Sequence, residues 1–279
     1  MITAEFDYAV PGSLEDAFKA LADGGEDAKV LAGGHSLLPL MKLRLAAPTL
    51  LVDLRKVPGL SGITREGDAF RIGALTTHTE VAAGGLGLTS LVAGTIADPQ
   101  VRNRGTLGGS LAHGDPASDL PAIMMVCEAK ITAMKAGGGS REIAANGFFQ
   151  DYLETALEPD ELITEVHIPA MEGWGYAYEK FNRRTEDWAM VAVSVAVQKD
   201  GDTCADVRIG LTNMGSTPLR ATAVEDALRG QPLNAESIAA AAEHAADGTN
   251  PPADLNATQD YKRHLASVLC KRALATAIA

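Results

Sequence analysis

The spacing of apolar residues changes repeatedly along this chain, and each change marks an element. Leu14, Ala17, Phe18 and Leu21 recur at helical spacing. Ser13 and Asp16 supply a capping-box-like start, and Gly24-Gly25 an end. Residues 29–32, around the apolar pair Val30-Leu31, predict a short buried strand. Residues 37–44 read as a helix with Pro39 in its first turn, and residues 50–54 as a further strand. The pattern over this first stretch is β-α-β-α-β, a small α/β lobe covering about residues 1–56.

A second lobe follows. Residues 70–73 are strand-like, and Thr77-His78-Thr79-Glu80 is a second capping box. Residues 91–97 predict a helix that stops at Asp98-Pro99. Asp119 is placed to cap a helix with Pro121 in its first turn. Strands are expected at residues 131–135, 141–143 and 162–168. A third section begins near Gly173. Residues 176–181 alternate as a strand does, and residues 190–197 are rich in β-branched side chains. Asp200-Gly201 is a tight-turn signal that pairs this strand with residues 207–214. Three helices complete the section: one from Thr222, with Glu225 three residues on, to Gly230, one over residues 235–246, and one from about Asp260 to the end. The class is α+β.

Composition narrows the partners. The chain has 279 residues and a net charge of −12, which repels phosphate backbones and argues against nucleic acid. The start has no basic stretch followed by an apolar one, and no apolar run reaches membrane-spanning length, so a soluble intracellular protein is expected. Cys127, Cys204 and Cys270 are far apart and form no C-x-x-C pair. They read as buried free thiols, with neither a disulfide framework nor a metal cluster of their own.

Chemistry concentrates in two glycine-rich segments. The first is Ala32-Gly33-Gly34-His35-Ser36, after an apolar run and before an apolar helix. The second is Thr106-Leu107-Gly108-Gly109-Ser110. Double glycines let a phosphate reach backbone N–H groups, and Ser36, Thr106 and Ser110 add hydroxyl donors. Either segment alone is an ordinary turn. As a pair they point to one shared diphosphate and a dinucleotide ligand. His35 reads either as a covalent flavin attachment point or base, or as a side chain packed in its loop. Asp119 reads as a partner for ligand hydroxyls, as a helix N-cap, or as both. Lys180 lies in a strand with Tyr176 and Tyr178, where a lysine is ordinarily solvated.

At these residues the chain resembles the FAD-binding medium subunits of molybdenum hydroxylases, and among them those of the aerobic carbon monoxide dehydrogenase type. The likeness rests on residues 32–39, on Arg102-Asn103-Arg104-Gly105 with the second glycine segment, and on residues 113–121. Residues 178–184, Asp187-Trp188-Ala189 and the tail 261–265 extend it over nearly the whole chain. The resemblance implies a vanillyl-alcohol-oxidase (PCMH) type FAD-binding domain, residues 1–172, of two α/β subdomains divided near residue 56. A C-terminal domain of antiparallel sheet plus helices, residues 173–279, follows. It implies non-covalent FAD, with both glycine segments on the pyrophosphate, Asp119 contacting the flavin, Lys180 near the isoalloxazine and Trp188 against the ring. Ser110 stands where many members have asparagine. No catalytic residue and no metal ligand is expected in this chain.

The same resemblance implies partners. A large molybdenum-cofactor subunit would transform the substrate, and a small 2Fe-2S subunit would feed electrons to the FAD. The whole would form a heterohexamer delivering electrons to a quinone, NAD or oxygen. It would be cytoplasmic, or peripheral at the inner face of the membrane. Two other functions compete: a free-standing flavin oxidase of the same fold, and a non-catalytic assembly or cofactor-storage protein. The first would need a larger substrate-binding domain than residues 173–279 offer.

Overall fold

Three sheets, each from its own stretch of chain, organise the computed structural model, which describes residues 2–279. The first is parallel. Its elements are β1 (Asp7–Ala9), α1 (Leu14–Gly24), β2 (Ala28–Leu31), α2 (Leu37–Lys42) and β3 (Leu50–Asp53), with β3 between β1 and β2. The Ser13 hydroxyl accepts the Asp16 N–H and starts α1. Ala17 and Phe18 of α1 pack with Val52 and Leu54, while Met41 of α2 closes on Leu31 and Leu51.

The second sheet is antiparallel, in the order β4-β5-β10-β6-β7: β4 (Ile63–Glu66), β5 (Ala69–Gly73), β6 (Lys130–Lys135), β7 (Ser140–Ala144) and β10 (Glu161–Pro169). A small hairpin of β8 (Phe149–Asp151) and β9 (Glu154–Thr155) precedes β10. Between β5 and β6 run α3 (His78–Ala83), α4 (Leu88–Ala93), α5 (Pro99–Arg102), α6 (Leu107–His113) and α7 (Asp119–Val126). The expected capping box at Thr77 and Glu80 is complete.

Three expectations need correction here. The helix expected over residues 91–97 begins at Leu88 and ends at Ala93. Ala97 then takes a left-handed φ of 44°, and the Arg102 guanidinium donates to the Ile96 and Ala97 carbonyls. Asp98-Pro99 starts a helix rather than stopping one: Asp98 accepts the Val101 N–H and Pro99 sits at N1. Both residue types suit a helix start as well as an interruption, so local pattern leaves the choice open. The second glycine segment is not a loop. Thr106 is the N-cap of α6, and Gly108 and Gly109 lie in its first turn, where tertiary packing outweighs their poor helix propensity.

The third sheet, β11 (Gly175–Phe181), β12 (Val191–Asp200), β13 (Thr203–Thr212) and β14 (Leu219–Arg220), is antiparallel in sequence order. Three helices follow: α8 (Thr222–Leu228), α9 (Ala235–Ala242) and α10 (Gln259–Ile278). Glu225 does not cap α8, whose N-cap position is Ala221. Its carboxylate is buried, paired with Arg220, and accepts the Ile209 N–H. On β12 the two faces differ. Val191, Val193, Val195 and Val197 join Leu265, Leu269 and Leu274 of α10 in one core. Ala192, Ser194 and Ala196 face the other way with Gly210, and α7 lies on this thin surface. A Cβ on Gly210 would stand 2.8 Å from Val126 Cγ2 and 2.9 Å from the Ala122 carbonyl oxygen. All eight residues of α7 are buried. This helix ties the second lobe to the third sheet. No helix among the described residues is long and apolar enough to cross a membrane.

Candidate functional site

A cavity of about 640 Å³ opens where the three units meet. That volume suits a small-molecule ligand or cofactor. Its wall takes in Ala32, Gly33, Gly34, His35 and Ser36 from the β2–α2 connection, and Thr106, Gly109 and Ser110 from the start of α6. Asp119, Lys180 and Trp188 contribute from α7, β11 and the strap before β12. Leu107 and Gly108 do not reach it: both are buried, and Gly108 packs on Ala74. Helical periodicity turns these two inward when Thr106, Gly109 and Ser110 face the cavity.

The two glycine segments touch. A Cβ on Gly33 would lie 2.3 Å from the Arg104 carbonyl oxygen and 2.7 Å from Gly105 Cα. Gly105 in turn rests on His78, whose Nε2 would be 2.9 Å from a Cβ at position 105. Gly34 has a different reason to be glycine, a φ of 79°.

Their backbone donors differ in a way the pattern of glycines does not show. Along α6 the N–H groups of Leu107, Gly108, Gly109 and Ser110 are spent on Thr76 O, Ala74 O, Thr106 Oγ1 and Thr106 O. Among the described residues no acceptor takes the N–H groups of Gly33, Gly34, His35 and Ser36. Ser36 occupies the N-cap position of α2 without using its hydroxyl as a cap. The first segment is therefore a cradle of unspent donors, and the second is the small-residue wall beside it.

Asp119 is not the expected N-cap. It is the first residue of α7, behind Ser118, and its carboxylate is drawn across to β11. Lys180 Nζ donates to Oδ2 at 3.1 Å, and the Tyr178 hydroxyl donates to Oδ1 at 2.5 Å. The Lys180 side chain is only 9% exposed, so it is not the solvated lysine that strands usually carry. Strand alternation puts Tyr178 and Lys180 on one face of β11, with Ala177 and Phe181 on the face toward α10. Trp188 stands at the cavity with half its surface exposed.

Two histidines border the glycine contact. His35 is exposed, and partial burial followed by the Arg104 charge lowers its pKa. His78 is buried and is pushed down to about 4, first by burial and then by His35 and Arg102. Among the described residues its Nδ1 has no hydrogen-bond partner. His78, Gly105 and Tyr178 are named in the sequence motifs but were not among the expected cofactor-binding residues. Only the two-residue spacing of Tyr178 from Lys180 could have signalled one of them.

Cys127, Cys204 and Cys270 are buried and unpaired, and burial raises their thiols to about 11, 11 and 12. The described residues include no group of three or more side chains arranged to hold a metal ion. The donor-rich glycine cradle, the volume and the flanking ion pair together fit a flavin dinucleotide.

Comparison with known proteins gives the same reading. The family described as the FAD binding domain in molybdopterin dehydrogenase matches residues 4–171, and the CO dehydrogenase flavoprotein C-terminal domain matches residues 176–277. The carbon monoxide dehydrogenase medium chain of Hydrogenophaga pseudoflava is 42% identical, over 98% of this chain and 97% of its own length. Subunit alpha of the 6-hydroxypseudooxynicotine dehydrogenase complex of Paenarthrobacter nicotinovorans is 38% identical, over 98% and 94%. A solved structure of carbon monoxide dehydrogenase from Hydrogenophaga pseudoflava matches with a TM-score of 0.96 at 44% identity, covering 100% of this chain and 99% of that one. The chain thus belongs to the FAD-binding medium-subunit family of molybdenum-dependent dehydrogenases of the carbon monoxide dehydrogenase type, and is a flavoprotein component of an oxidoreductase complex.

Proposed function

We propose that this chain is the electron-exit subunit of a molybdenum hydroxylase. It takes electrons from a small 2Fe-2S subunit and hands them to an external acceptor: a quinone, NAD or oxygen. The observation that carries this reading is the cradle of unspent N–H groups at residues 33–36, facing the Asp119–Lys180 pair and Trp188 across one cavity. FAD bound there exchanges electrons singly or in pairs.

The chain's own residues bind and orient. Ala32, Gly33, Gly34, His35 and Ser36 hold the pyrophosphate without a covalent bond, and Thr106, Gly109 and Ser110 close the wall beside it. Asp119, Lys180 and Trp188 attend the isoalloxazine end. Substrate chemistry lies in a large molybdenum-cofactor subunit. Two relatives of similar identity are named for different substrates, carbon monoxide and 6-hydroxypseudooxynicotine, which supports that division. The relatives' names as medium chain and subunit alpha support a multi-subunit assembly, which we take to be a cytoplasmic heterohexamer.

Purification of the tagged chain from its native host, with flavin, molybdenum and iron assayed, tests this. One FAD per chain, with molybdenum and iron–sulfur in two co-purifying subunits, is the expected result. A lone FAD protein that oxidises a small molecule by itself would overturn it in favour of a free-standing oxidase.

A further inference from the structure

The Asp119–Lys180 pair raises a question within the proposed function, on which this inference rests. A lysine ammonium beside a ring that gains electrons stabilises the added negative charge. A carboxylate 3.1 Å from that ammonium cancels most of its field. Both side chains are less than a tenth exposed, so solvent screens neither charge well. As an isolated pair, Asp119 and Lys180 would present little more than a dipole to the cavity.

Tyr178 breaks this balance. It lies two residues before Lys180 on the same face of β11 and donates its hydroxyl to the carboxylate oxygen that Lys180 does not use. It packs on the core of the second lobe and does not line the cavity itself. Every group concerned is held by rigid structure. Asp119 opens the fully buried α7, and Tyr178 and Lys180 are in register with Ser194 and Ala192 of β12. Burial and the adjacent carboxylate push the phenol well above its ordinary pKa, so it remains a donor. Two donors on separate oxygens divide the carboxylate's negative charge between them.

We infer that Tyr178 is a positioning residue for the flavin-facing charge: its hydroxyl engages Asp119 so that Lys180 presents a net positive field to the isoalloxazine end of the cavity. Without the hydroxyl, Asp119 commits its charge to Lys180, and electrons on the flavin are less well stabilised. Tyr178 acts only through Asp119, which sets it apart from residues that touch the cofactor.

The test is a potentiometric titration of the bound flavin in the purified complex. Tyr178→Phe keeps one FAD per chain and shows an about tenfold lower ratio of reduced to oxidised flavin at a fixed potential, a shift of about 30 mV for a two-electron couple. In an Asp119→Asn background the same substitution has no further effect. An unchanged potential in Tyr178→Phe overturns the inference, and so does an equal shift in both backgrounds. If Tyr178→Phe purifies without FAD, 3-fluorotyrosine incorporated at position 178 gives a test of opposite sign. The fluorinated phenol is a stronger donor, so the potential rises, and no rise overturns the inference. Wild-type complex lacking FAD would instead defeat the proposed function.

Discussion

Gly33 has no left-handed φ to explain it; the Arg104 carbonyl oxygen, 2.3 Å from where a Cβ would stand, demands glycine. Gly33→Ala forces the two segments apart, at a cost of about 1–3 kcal/mol in stability. We expect the FAD dissociation constant, measured by fluorescence titration of apoprotein, to rise about tenfold or more, since roughly 1.4 kcal/mol of lost binding is already tenfold. Gly12→Ala, with nothing within 4 Å of its Cβ, is the control. An unchanged dissociation constant in Gly33→Ala would refute the assignment of this contact. His78 acts through a proton. In the unfolded chain it titrates near the ordinary 6.5, and in the folded protein only near 4. Between those values the unfolded state binds more protons, so this contribution is full above pH 6.5 and is lost as pH falls toward 4. The loss reaches about 3 kcal/mol once the pH is below both values. Urea midpoints at pH 7.5 and 5 should differ less in His78→Gln than in wild type, and identical differences would exclude the effect.

At the scale of elements, capping was legible where both partners are local. Ser13 with Asp16 and Thr77 with Glu80 each lie three residues apart, and both caps form. The N-cap reading of Asp119 failed because its partners, Tyr178 and Lys180, are 59 and 61 residues away on another sheet. The start of α6 was misread for a related reason. Its glycines look like a turn, but Thr106 caps it and Ala74 and Thr76 absorb its first N–H groups. Thr106→Ala should cost about 1 kcal/mol, as should Ser13→Ala at α1. Only Thr106 borders the cavity. Fluorescence titration of apoprotein with FAD should show several-fold weaker binding for Thr106→Ala and unchanged binding for Ser13→Ala. Equal affinities would mean that the cap does not shape the site.

Across the whole molecule, the cavity exists because separate units are locked in one arrangement, and Asn213 is a lock visible in the hydrogen bonds. It is buried with a left-handed φ of 63°. Its N–H donates to the Pro116 carbonyl, upstream of Asp119, and its Nδ2 to the Ala189 and Met190 carbonyls, just after Trp188. One residue at the end of β13 thus holds two walls of the site. Asn213→Ala should lower stability by about 1–3 kcal/mol through unpaired carbonyls, with added strain at positive φ. Asn213→Gly should lose less, because glycine accepts that φ. Thermal unfolding of both variants checks this, and the reverse order would show that the side-chain bonds and φ are not what matters.

The sequence by itself determined the elements and much of the chemistry of the cradle. Hydrophobic periodicity acts over a turn or a pleat, and double glycines exclude side chains wherever they fall. It also carried the family, since ordered motifs run through nearly the whole chain. Tertiary structure alone decided that Gly33 meets Arg104, that one segment spends its N–H groups while the other keeps them, and that Tyr178 and Lys180 share Asp119. These contacts join residues far apart in the chain. Their energies depend on packing between sheets, and local spacing holds no record of that.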